Sequence, residues 1–136
     1  MKLTNTQNMK AKSGMTLLEL TVVILVLLSL ISILFVGARA WKKGSDRAAN
    51  IMNIRNVQQA VRGHENMRGL AVGAALPSTL IVGDNGYMKA PTAPNSEIAY
   101  ATYLEAVPAI GALYLSPTYT VAAETYHPEA ASITGW

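Results

Sequence analysis

At 136 residues the chain allows one small domain plus an anchor, and a domain of that size is only marginally stable on its own core. The net charge of +3 is no nucleic-acid footprint, because Lys2, Lys10 and Lys12 lie in the first 14 residues and the remainder holds eight basic and eight acidic side chains. No cysteine is present, which excludes disulfides and thiolate metal sites and leaves the redox state of the compartment open.

The chain opens on a basic leader, residues 1–14, that ends at Gly14. An apolar run follows from Met15 to Val36, 22 residues interrupted only by Thr16, Glu19, Thr21, Ser29 and Ser32. As a helix it measures about 33 Å, enough to cross the hydrocarbon core of a bilayer. Glu19 is the anomaly. An acid within a membrane segment costs about 2.5–3.5 kcal/mol at mid-bilayer, less near the edge, so such a residue usually has a partner and a purpose. A secretory signal would be shorter and end in small residues; Phe35-Val36-Gly37-Ala38 offers such an exit near Ala38, but Glu19 would be out of place inside it.

The run Gly14-Met15-Thr16-Leu17-Leu18-Glu19 resembles the class III signal of type IV pilins and type II secretion pseudopilins. That signal is a glycine, a hydrophobic residue most often Phe, then Thr, Leu, a branched aliphatic and Glu. Met15 in place of Phe is a mild departure. The resemblance implies a prepilin peptidase that cuts between Gly14 and Met15 and methylates the new amine of Met15. It implies that Glu19, one helical turn further on, pairs with that amine in its own or a neighbouring subunit and sets register during assembly. The other reading of Glu19 is an interfacial acid at the cytoplasmic border. Basic residues flank the span on both sides, so charge alone does not orient it. The resemblance places the leader in the cytoplasm and the C-terminal part outside.

Residues 37–68 read as an amphipathic stem helix that continues the span. They contain no proline, and Ile51, Ile54, Gln58 and Val61 form a core-facing stripe widened by Met52, Val57 and Ala60. Gly37 and Gly44 are its soft points, each weakening a helix by about 1 kcal/mol relative to Ala. Gly69 is the expected C-cap. Residues 39–68 carry seven Lys or Arg against Asp46 and Glu65, whereas residues 69–136 carry Lys89 against five acids. A basic stem and an acidic head favour head-to-stem contact between copies; two solvated faces are the alternative.

From residue 69 to 136 the texture is short apolar pieces punctuated by Pro and Gly, which predicts a small β-rich head. Leu76–Leu80 reads as a turn or a short helical piece. Leu80-Ile81-Val82 and Tyr87-Met88-Lys89 flank the turn signal Gly83-Asp84-Asn85-Gly86. Gly86-Tyr87-Met88-Lys89-Ala90-Pro91 is similar to a segment of pseudopilin-like proteins, with Ala93 where those carry a cysteine, so no disulfide loop is implied. Ala101–Ala106 reads as a strand or a helical turn. Ala112–Leu115 and Tyr119–Ala122 are the expected later strands, joined through Ser116-Pro117-Thr118, and the tail from His127 is expected to be irregular. All six tyrosines lie in the head and suit an amphipathic sheet surface.

Nothing in the pattern calls for enzyme chemistry. His64 and His127 lack metal-ligand spacing, and no nucleophile-elbow, Walker or dinucleotide motif is present. Asp84-Asn85 suits a plain turn better than a calcium loop, for want of further oxygen ligands. The expectation is therefore an α+β protein. A long N-terminal helix, transmembrane (15–36) then amphipathic stem (37–68), carries a small antiparallel-sheet head. As the resemblance implies, it is a non-enzymatic precursor subunit of a type II secretion pseudopilus or a type IV pilus, without cofactor. Its implied partners are prepilin peptidase, itself and other pilin-like subunits, an inner-membrane assembly platform and the lipid bilayer. Its implied place is the inner membrane, single-pass, then a periplasmic or surface filament. The alternative is a minor, competence-type pilin that binds DNA or a surface. The spread of the stem charges, with Trp41 the only aromatic among them, argues against nucleic acid as a partner.

Overall fold

A computed structural model of the chain describes residues 16–136 and, of residues 2–15, the helical backbone alone. The chain divides into two compact units, Met1–Trp41 and Lys42–Trp136. The long helix α1, Lys2–Arg68, forms the first and opens the second.

Within the first unit the sequence from Thr16 is helical throughout, and Gly37 does not interrupt it. By length and composition this part of α1 is apolar enough to cross a membrane, and none of its apolar window is buried inside the protein. Leucine, isoleucine and valine side chains from Leu17 to Val36 point outward all round the helix. A helix that is hydrophobic on every face requires an apolar surrounding.

In the second unit the stem part of α1 supplies one wall of the core. Ile54, Val57 and Val61 are buried, with Leu76, Ile81, Val107, Tyr114 and Leu115 packed over them. The buried face runs Asn50, Ile54, Val57, Gln58, Val61 and His64, the three- and four-residue spacing of a helix stripe. Met52, expected in the stripe, is 64% exposed, because it sits two residues before Ile54 and points away from that face. The helix ends at Gly69, whose φ of +62° lets the Leu70 N–H donate back to the Glu65 carbonyl at 3.1 Å. Glycine permits such a left-handed cap at little cost.

The head holds one short helix, α2 (Ser78–Ile81), and one two-stranded antiparallel sheet of β1 (Ile98–Tyr103) and β2 (Leu115–Tyr119). An irregularity between Ala99 and Thr102 breaks an otherwise simple register running from Ile98 opposite Tyr119 to Tyr103 opposite Leu115. An α+β layout is the result. The sheet corrects the expected strands. Ser116-Pro117-Thr118 is the middle of β2, not a linker. Ala112, Leu113 and Tyr114 precede that strand, and Thr120, Val121 and Ala122 follow it. Pro117 is tolerated because β2 has a neighbour on one side only, so its missing N–H breaks no second ladder, and its ring is buried. Of Ala101–Ala106, the first three residues close β1, and Ala106 makes an isolated bridge with Ala75.

The turn expected over Gly83-Asp84-Asn85-Gly86 is present at Asp84 and Asn85, and Leu76–Leu80, expected as a turn or a short helical piece, overlaps α2. Leu80 and Ile81 belong to α2, and Val82 makes a single parallel bridge with Met88. The Met88 N–H donates to the Ile81 carbonyl at 3.1 Å and the Gly83 N–H to the Met88 carbonyl at 2.9 Å. Gly86 packs against the backbone there, and a Cβ on it would lie 2.6 Å from the Ile81 carbonyl carbon. The tail carries two single 3-10 turns, Ala123–Thr125 and Ala130–Ser132, the second within the stretch expected to be irregular.

Candidate functional site

The apolar segment of α1 is the candidate site. Gly14 and Met15, the expected cleavage and methylation positions, lie outside the described residues. Glu19 lies within them, in the first turns of the exposed apolar stretch.

Most polar interruptions of this stretch are satisfied by the helix itself. The Thr21 hydroxyl donates to the Leu17 and Leu18 carbonyls at 2.8 and 2.9 Å. Ser29 donates to Leu25 at 2.9 Å, and Ser32 to Leu28 at 2.8 Å. Hydroxyls that bond back to the preceding turn carry no unpaired donor into an apolar medium. Glu19 has no such recourse, since an ionised carboxylate only accepts. Among the described residues the ion pairs are Arg47–Glu129 and Arg62–Glu65, and Glu19 is in neither.

The far end of the stretch is marked by residues suited to an interface. The Arg39 guanidinium lies 4.6 Å from the centre of the Phe35 ring, and Trp41 is 81% exposed. An amphipathic aromatic and an arginine whose guanidinium lies over an aromatic ring are typical of the border between hydrocarbon and water.

In the second unit, the candidate chemical groups are held as structural partners. His64 is buried, and its Nδ1 lies 3.0 Å from the Tyr87 hydroxyl. His127 Nδ1 lies 3.0 Å from the Tyr119 hydroxyl, and burial lowers its pKa. Asp84 and Asn85 lie on the turn after Gly83. Among the described residues, no three His, Asp or Glu side chains converge as a metal site.

Part of the basic stem is used inside the same unit. Arg62 donates to Glu65 at 2.8 Å and to the backbone oxygens of Pro108, Ala109 and Trp136 at 2.9, 3.1 and 3.0 Å. Arg47 pairs loosely with Glu129 at 3.8 Å. Sequence reasoning missed Asn50. It is fully buried, with its amide bonded to the Tyr119 hydroxyl and the Tyr126 carbonyl. Its place four residues before Ile54, on the same face, was the available signal.

No family model, curated protein or solved structure matches the chain.

Proposed function

We propose that the chain is the precursor of a pilin-like filament subunit, a pseudopilin or type IV pilin, that polymerises through its apolar N-terminal helix. One observation carries the reading: a lone carboxylate, Glu19, stands five residues after Gly14 at the head of a helical stretch whose apolar side chains are all unburied. Such a surface is stable in lipid, or against copies of itself. The carboxylate in it is stabilised by a positive partner, which the amine released by cleavage before Met15 would provide. The reading places the head outside the cytoplasm and makes the role structural, not enzymatic.

The test separates processing from assembly. In cells carrying a type IV filament machinery and its prepilin peptidase, Glu19→Ala is expected to be cleaved normally but to lose the ladder of cross-linked multimers given by the parent chain. A ladder unchanged by Glu19→Ala would overturn the assembly role of the carboxylate.

A further inference from the structure

A chain of side-chain hydrogen bonds crosses the second unit from α1 to the tail, and two backbone carbonyls fix its direction. The Asn53 Nδ2 donates to the Thr92 carbonyl at 3.0 Å, so that amide group is a donor and also donates to the Tyr100 hydroxyl at 3.1 Å. The Tyr100 hydroxyl donates its own proton to Asn50 Oδ1 at 2.7 Å. The Asn50 Nδ2 faces the Tyr126 carbonyl at 2.8 Å, which fixes it as a donor too, and its second hydrogen goes to the Tyr119 hydroxyl at 3.1 Å. The Tyr119 proton is then left for His127 Nδ1, 3.0 Å away. Every donor has one acceptor only if Nδ1 is bare and the ring proton sits on Nε2.

We propose that His127 is the acid-sensitive end of this relay, which latches the tail to the α1 face at Asn50, and that protonating its ring opens the latch. The imidazolium carries a hydrogen on Nδ1 and turns the last link into two donors face to face. Tyr119 must then redirect its proton away from the ring. The other titratable or charged groups around the ring are Arg47 from α1, Tyr119 from β2, and Glu124 and Glu129 from the tail. Tyr126, stacked on the Tyr119 ring, gives its hydroxyl proton to Glu97 at 2.6 Å. Arg47 opposes a second cation. Glu124 and Glu129 favour one, but both residues are exposed and their effect is screened by solvent. Burial lowers the His127 pKa below its ordinary 6.5, in line with a ring held neutral.

The sign follows from that direction. With a native pKa below 6.5, the closed tail binds fewer protons than the open one. Its contribution to stability is complete above 6.5 and is lost as pH falls through the depressed native value.

The experiment uses the full chain in detergent micelles. Nitrogen-15 correlation spectra at pH 7.5 should show His127 protonated on Nε2 only. Amide exchange over residues 119–130, corrected for the intrinsic effect of pH, should be severalfold faster at pH 5 than at pH 7.5. His127→Gln, whose amide oxygen keeps an acceptor for Tyr119, should flatten that response, and His64→Gln should leave it intact. A proton on Nδ1 at pH 7.5, an exchange rate indifferent to acid, or the same acid response in His127→Gln would each overturn the proposal.

Discussion

Gln58 shows how a polar side chain becomes part of the core. Its Nε2 donates to the Ala112 carbonyl at 2.9 Å and its Oε1 accepts from the Tyr114 N–H at 3.0 Å, so it ties α1 to the segment leading into β2. Truncation leaves the buried Tyr114 N–H and the part-buried Ala112 carbonyl without partners, at about 1–3 kcal/mol for a fully buried group. Gln58→Ala is therefore expected to destabilise the second unit by about 2–4 kcal/mol in denaturant unfolding. Met52→Gln, at an exposed position, should stay within about 0.5 kcal/mol. Equal effects would show that the buried face is misassigned. Tyr114 gives a second check. Its hydroxyl donates to the Leu76 carbonyl at 2.6 Å, and burial, with Glu105 nearby, pushes its pKa up to about 12. A phenol raised in the folded state stabilises below its unfolded value near 10, and that contribution is lost as pH climbs toward 12. Ultraviolet titration should find Tyr114→Phe lacking the last tyrosine to ionise; a parent chain whose tyrosines all titrate near 10 would contradict this.

Among the elements, glycines give opposite expectations according to what surrounds them. Gly44 is helical with nothing within 4 Å of a would-be Cβ, whereas a Cβ on Gly86 would meet the Ile81 carbonyl carbon at 2.6 Å. Gly44→Ala should stabilise by about 1 kcal/mol, and Gly86→Ala should destabilise by about 1–3 kcal/mol by forcing the loop off α2. Thermal melts of the two variants moving in the same direction would contradict the packing at Gly86. The stem was legible because Ile54, Gln58 and Val61 repeat with the helix period, and a long helix accumulates signal. The head was not, because its pieces are four to six residues long and their partners are remote in sequence. Pro117 read as punctuation although a strand with one neighbour accepts it. The short helical piece expected within Leu76–Leu80 is displaced by a residue or two, since α2 runs from Ser78 to Ile81. Asn50 was invisible as a hub, since its bonds to Tyr100, Tyr119 and Tyr126 span 50, 69 and 76 residues and exist only once the head closes on α1. His127 reaches Tyr119 across only eight residues, but its role depends on the same closure.

For the whole molecule, the apolar stretch is the most legible feature and the one that sets its environment. A helix carrying exposed Leu, Ile and Val on all sides is compatible with lipid and demands it, or a protein surface equally apolar. The proposed filament role adds a leader that must be removed and a carboxylate that must be neutralised. The most direct measurement is the intact mass and N-terminal sequence of the membrane-extracted protein, with and without co-expressed prepilin peptidase. The account predicts that the peptidase yields a chain beginning at methylated Met15. A chain still beginning at Met1 beside an active peptidase, or one beginning near Ala38, would contradict it.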